Sequence, residues 1–242
     1  MPSETSELLS QLGRLHEASS QHLDQVQLDC PEGRAVLTLE ADLGTWLQVL
    51  SDRPETQQYR SAHRDLGLSF FSTSLGLYRQ GFAGLRSFIE VSFGALHLSS
   101  SEYQRRKWIA GRRDLSWSEI TSVDNGLFSQ DYVKVFMPSA EVESTGLLTD
   151  IKAAYRTCSE YLHGNVQTSD LLPETITLSE DLVNQWLRTA RTALRIFHHS
   201  LFVRYYLDLN SDQKNRLEAP LEEHFSNSYS VRTELNLPIG KD

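Results

Sequence analysis

Two cysteines, Cys30 and Cys158, are all that the 242 residues contain. That excludes a disulfide framework and fits a chain kept in a reducing, cytoplasmic compartment. Long hydrophobic runs are missing too. The longest charge-free apolar stretch, Leu66 to Tyr78, holds three serines and a threonine and is too short to span a bilayer, so no membrane partner is expected. The opening Met1-Pro2-Ser3-Glu4 is acidic and polar, with no legible secretory signal. Positive charge is scarce: 23 Lys and Arg stand against 32 Asp and Glu, a net charge of −9. This excludes a general nucleic-acid coat protein, whose affinity would rest on neutralising many phosphates. No phosphate loop is present, because Gly76 and Gly81 are followed by Phe82 rather than by Lys. Gly-x-Ser-x-Gly, Cys-x-x-Cys and His-Glu-x-x-His are absent as well, and no cofactor is expected.

What is present argues for a folded chain. Hydrophobic residues make up 39%, and four Trp, nine Tyr and ten Phe supply bulk for a core. The length allows one large domain or two small ones, and the chain, which holds no repeats or low-complexity blocks, is read as a single domain over 1–242. Charge is uneven: residues 1–100, 101–204 and 205–242 carry net −5, −1 and −3. Of the basic residues 18 are Arg, the side chain able to grip a phosphate or carboxylate bidentately. A small Arg-lined site is therefore compatible with the acidic balance.

Hydrophobic spacing predicts an all-α helical bundle with an irregular insertion around 99–139, in which short segments fall around Trp117–Val123 and Gln130–Met137. Leu8, Leu12, Leu15, Leu23 and Val26 share one face of a first helix, which a turn at Asp29–Gly33 ends. A second segment runs from Ala35 to Leu50, and its Ala-Val-Leu-Thr-Leu start is equally compatible with a short strand. Residues 55–64 read as a polar connector completing an N-terminal part, 1–64. The core bundle is expected from 65–98, a glycine-studded central helix, and from 140–208. In 65–98 the glycines mark close helix–helix approach rather than flexibility. A helix over about 143–163 is stopped by Gly164-Asn165, and Ser179 can cap a long helix reaching Tyr205. A last helix at about 211–225 and a tail complete 209–242.

The sharpest chemical constellation is Tyr155-Arg156-Thr157-Cys158-Ser159-Glu160-Tyr161-Leu162-His163-Gly164-Asn165. Arg156 and His163 are seven apart, close to two helical turns, and project from one face. A permanently charged guanidinium can hold a phosphate and an imidazole can move protons near neutrality, which suits metal-free RNA cleavage by a ribose 2′-hydroxyl. Composition alone yields about two Arg/His pairs at such separations, and Arg191–His198 is the second, so spacing by itself does not select the first. The alternative is structural: His163 caps the helix C-terminus while Arg156 pairs with a carboxylate such as Glu160.

This stretch resembles the HEPN superfamily of helical-bundle proteins, whose ribonuclease members carry Arg, four to six residues, then His, near the end of a bundle helix. Leu85-Arg86-Ser87-Phe88-Ile89-Glu90 is similar to the Arg/Glu-bearing helix preceding that motif in defence-associated relatives. The resemblance covers about 147–168 and 85–90, and Thr157 departs from the Asn, Asp or His often found after the Arg. It implies a metal-independent endoribonuclease of a bacterial defence or toxin system, with Arg156 and His163 catalytic and Arg86, Glu90 and Glu160 supporting them. It also implies a homodimer that brings two motifs to one composite site. The competing expectation is a non-catalytic helical adaptor, a subunit of a larger hetero-assembly.

Three further groupings stand beside this one. Arg105, Arg106, Lys107, Trp108, Arg112 and Arg113 interleave cations with aromatics, the chemistry of single-stranded RNA contact, or else a loop whose Trp docks inward and whose Arg pair with acids. Arg188, Arg191 and Arg195 form a basic stripe that His198 or His199 would extend, either a path for RNA or an acidic partner, or the solvated side of an amphipathic helix. Glu160-x-x-His163 is the unit that di-iron bundles use twice, but one copy does not make such a site, and no metal is expected.

Overall fold

The computed structural model describes residues 4–23, 25, 26, 28–163 and 165–238, and among them the regular structure is entirely helical. Gly164, expected to help stop a helix, and Met1–Ser3 lie outside the described residues.

Helix α1 spans Glu4–Leu23 and α2 spans Pro31–Val49. The expected turn at 29–33 is instead the start of α2. Cys30 is extended there, its Sγ accepts from the Gly33 amide, and Pro31 occupies the first turn, where its missing N–H goes unneeded. The strand alternative at Ala35 fails because Val36, Leu39, Leu43, Trp46 and Leu47 bury one helical face.

Helices α3 (Thr56–Ser74) and α4 (Tyr78–Leu98) replace both the expected connector at 55–64 and the single central helix. Tyr59, Ala62 and Leu66 bury one stripe of α3, so the polar look of 55–64 reflects only its solvated side. The break falls at Gly76, whose φ of +79° is one that glycine adopts without strain. Beyond it α4 folds back on α3 at close range. A Cβ added to Gly81 or Gly84 would collide with Thr73 or Ser69. The Ser69 hydroxyl uses that proximity, donating to the Gly81 carbonyl at 2.6 Å and accepting from Trp186 Nε1 at 2.8 Å.

The insertion carries short helices joined by the irregular stretches 110–116 and 121–129. It forms α5 (Glu102–Ile109), α6 (Trp117–Ile120), α7 (Gln130–Phe136) and a 3-10 turn at Pro138–Glu143. Ser101, Ser116 and Ser129 each accept an amide from the first turn of their helix, so the serines that give the segment its loop-like composition are its caps.

Then come α8 (Ser144–Leu162), α9 (Val166–Ser169), α10 (Glu180–Tyr205), α11 (Ser211–Phe225) and α12 (Tyr229–Glu234). Ser179 caps α10 as expected, accepting from the Leu182 amide. Helix α4 packs against α3, α8 and α10, and α10 also packs against α2. Trp46, Phe82, Phe88, Phe93, Trp186 and Phe197 are buried at the centre, each contributing about 1.5–3 kcal/mol by leaving water.

One expected core stripe is not covered. Leu12, Leu15 and Leu23 of α1 are about half exposed, as is Leu9 beside them, while the Leu8 side chain lies outside the described residues; among the described residues of that helix only Ser19 is buried. Among the described residues no helix is long and apolar enough to cross a membrane.

Candidate functional site

On α4, Leu85, Phe88 and Ile89 point into the core, which leaves Arg86 and Glu90 stacked one turn apart at the helix edge. On α8, Ile151, Ala154, Cys158 and Tyr161 are buried, and Tyr155 and His163 flank them on the side turned to α4. The two edges meet through the Arg86 guanidinium. Its Nε donates to Glu90 Oε1 at 3.0 Å, Nη2 to the Tyr155 hydroxyl at 2.8 Å, and Nη1 lies 3.1 Å from His163 Nε2. Tyr155 in turn donates to Glu90 Oε1 at 2.7 Å, so Arg86, Glu90 and Tyr155 close a ring.

A guanidinium can only donate, so the imidazole nitrogen facing it accepts and carries a lone pair there. Burial opposes the charge on Arg86, but Glu90 and Tyr155 outweigh it and raise the guanidinium above its ordinary value. Burial and Glu90 likewise raise the Tyr155 phenol, so it stays protonated as the ring requires. Trp117 of α6 stacks on Tyr155 at 4.2 Å between centroids, closing one side of the network with the insertion. Beneath it Cys158 is buried, its thiol pushed up to about 12 by loss of solvent, and so is no nucleophile. Tyr161 stacks on Phe82 at 4.0 Å and fixes α8 to α4 nearby.

Arg156 sits differently. Its side chain is 81% exposed, and its Nε holds Glu160 Oε1 on the same helix at 2.9 Å. The expected pair is thus divided: His163 is joined to Arg86 across the helix boundary, and Arg156 is joined to Glu160. His163 itself is the exposed cap residue of α8. Arg86 and Glu90, expected to back Arg156, meet His163 and Tyr155 instead. Tyr155 and Trp117 were missed as site residues. The signal for Tyr155 was its register, eight residues before His163 on α8, facing an i, i+4 Arg/Glu pair.

The basic stretch of the insertion spends most of its charge internally. Arg105 is buried and grips both carboxylate oxygens of Glu102, which also holds Arg106. Those bonds, Arg105's first, pull the exposed Glu102 carboxyl down to about 2. Arg113 pairs with Glu119 and donates to Gln104, and Trp108 packs against the core. Lys107 lies over the Tyr103 ring, and Arg112 is exposed. The extension of the α10 stripe through His198 and His199 fails, because both are buried: His198 donates to the Leu39 carbonyl and His199 meets Glu143. Among the described residues no three His, Cys, Asp or Glu side chains are grouped as a metal site.

Comparison with protein-family models, curated proteins and solved structures gave no match to the chain.

Proposed function

We propose that this chain is a metal-independent endoribonuclease of the HEPN type, acting in a defence or toxin system. His163 takes the proton of the ribose 2′-hydroxyl. The freed 2′-oxygen attacks the adjacent phosphorus, the bond from phosphorus to the 5′-oxygen breaks, and a proton from a second imidazole or water completes the 5′-hydroxyl. The other product is a 2′,3′-cyclic phosphate. Arg156 holds the non-bridging phosphate oxygens. It is available because an exposed i, i+4 pair with Glu160 is worth only about 0.3–0.5 kcal/mol and exchanges readily for a doubly bound phosphate. Arg86, held by Glu90 and Tyr155, orients the imidazole in the free protein and gives up Nε2 to the 2′-hydroxyl when RNA binds. Dimerisation about the exposed end of α8 would bring two such sets together.

The observation that carries this reading is the His163–Arg86 contact at an exposed helix edge, with every partner of Arg86 itself fixed. The test is expression in a bacterial host. Wild type should arrest growth and His163→Ala should not, at equal protein level. Equal growth of the two strains contradicts the reading.

A second reading rests on a separate observation, the uncovered Leu9, Leu12 and Leu15 of α1. Exposed leucines on one helix suit a non-catalytic subunit that seats α1 on a protein partner. Such a subunit would tolerate His163→Ala and co-purify with that partner.

A further inference from the structure

Three arginines on α10 stand apart from the network described above. Arg188, Arg191 and Arg195 occupy i, i+3 and i+7, on the side of α10 turned away from buried Trp186, Leu187, Ala190 and Leu194. They line one wall of a cleft of about 350 Å³. The facing wall is the first half of α8, through Leu147 and Asp150, and Glu32 of α2 stands at the edge. Leu147, Thr192 and Ile196 complete the lining, with no aromatic ring. Asp150 lies on a different face of α8 from Tyr155 and His163, and no residue of the Arg86 network lines this cleft, so it is not part of the edge that holds His163.

The charge of the triad is not neutralised within the chain, as is also true of the scattered exposed Arg60, Arg79 and Arg112; the triad differs in bringing three such guanidiniums to one cleft. Arg86, Arg105, Arg106, Arg113 and Arg156 each hold a carboxylate within ion-pair distance. Among the described residues Arg188, Arg191 and Arg195 hold none, although Asp150 and Glu32 line the same cleft. Arg195 packs over the Phe225 ring, with its guanidinium carbon 6.0 Å from the centroid. Like charges one and two turns apart repel, and a chain with net charge −9 has acids enough to have paired them. Their donors are left for a ligand.

We propose that this cleft binds an oligophosphate anion laid along α10. The stripe advances about 4.5 Å from Arg188 to Arg191 and about 6 Å more to Arg195. A single phosphate spans one such step at most, whereas a chain of linked phosphates meets all three guanidiniums in turn. Each can take its phosphate bidentately. The absence of an aromatic ring leaves nothing on which a base would stack, so recognition rests on the phosphates. Asp150 and Glu32 disfavour anions that spread beyond the stripe. The shared chemistry is a run of phosphates, whether from a free oligophosphate or from the backbone of a short RNA.

The experiment is titration calorimetry of the whole chain with tripolyphosphate, inorganic phosphate and a ten-nucleotide oligouridylate at 50 mM salt. Wild type should bind tripolyphosphate at least tenfold more tightly than inorganic phosphate. The triple variant Arg188→Gln, Arg191→Gln, Arg195→Gln should lose at least tenfold in tripolyphosphate affinity. Arg60→Gln, an exposed cation on α3, should lose less than twofold, and the triple Lys variant should fall between wild type and the Gln variant, because each lysine keeps the charge but not the bidentate grip. Oligouridylate binding much more tightly than tripolyphosphate, with a log–log salt slope near −2 for three phosphates, identifies RNA backbone as the source. Comparable affinities identify free oligophosphate. Tripolyphosphate binding equally to wild type and to the folded Gln variant overturns the proposal, and so does no binding of tripolyphosphate by wild type. None of these outcomes depends on His163, so the site stands or falls separately from the ribonuclease reading.

Discussion

His163 Nε2 and Arg86 Nη1 lie 3.1 Å apart although 77 residues separate them in the chain. The contact exists because α4 returns antiparallel to α3 and then packs its edge against the last turns of α8. It makes the imidazole an acceptor at an exposed helix end, and the same lone pair serves a hydroxyl proton once a substrate displaces Arg86 from Nε2. The ring of Arg86, Glu90 and Tyr155 behind it supplies rigidity, and Trp117 ties that ring to the insertion.

That ring should behave as a unit. Arg86→Gln leaves the Glu90 carboxylate without its cation and should destabilise the fold by about 1–3 kcal/mol. Tyr155→Phe should cost about 1 kcal/mol, since stacking on Trp117 survives. The double variant should fall short of the sum by about 1 kcal/mol. Urea unfolding of the four proteins measures the coupling, and simple additivity would show that the ring is not a unit.

Glu143 should control the acid limb of stability. Burial alone would raise its carboxyl, but bonds from His199, Ser230 and Ser228 outweigh burial and hold it at about 2. The unfolded chain takes up that proton at the ordinary carboxylate value, so the stabilisation is complete above about pH 4.5. It is lost as the pH falls from there toward 2, and amounts to about 2 kcal/mol after allowance for partial exposure. Urea midpoints at pH 7, 4 and 3 should fall for wild type and stay flatter for Glu143→Gln. Parallel curves would contradict the assignment.

Glycine substitutions in the α3–α4 hairpin should split by site. Gly81→Ala places a methyl against Thr73 Oγ1 and should destabilise by about 1–3 kcal/mol. Gly67→Ala meets nothing within 4 Å and should stabilise by about 0.5–1 kcal/mol through the unfolded chain. Thermal melts of the two variants should therefore move in opposite directions.

Freeing Arg156 should be nearly neutral for folding. Glu160→Gln removes an exposed pair and should change stability by less than about 0.5 kcal/mol. On the ribonuclease reading it should also raise RNA affinity two- to fivefold at 50 mM salt, by a filter-binding titration, because the guanidinium no longer has a competing carboxylate. Unchanged affinity would mean that Arg156 does not touch the phosphate.

The all-α class and the long capped helix at 180–205 were legible in the sequence, because Ser179 and the apolar stripe from Leu182 to Phe202 agree with each other. The helices of the insertion were not, since segments of four to eight residues show too few turns for a period to emerge, and their serine caps read as loop. The fold-back at Gly76 was hidden because the second half of α3 runs into an equally apolar α4 and the glycine between them looked like its neighbours. In the candidate site, Arg86, Glu90 and His163 were legible as residue types but their partnership was not. Which edge of α4 meets which edge of α8 depends on packing over 77 residues, and helical spacing within one segment carries no information about it. Arg156 drew attention by register alone, and register does not say whether a carboxylate one turn on will claim it.

The most direct test is cleavage of a mixed RNA pool by the purified protein in EDTA, with the ends of the products identified. Wild type should yield 2′,3′-cyclic phosphate and 5′-hydroxyl ends, and Arg156→Ala and His163→Ala should each lose at least a hundredfold in rate. Cleavage that persists in His163→Ala, or ends of the opposite polarity, would contradict the account.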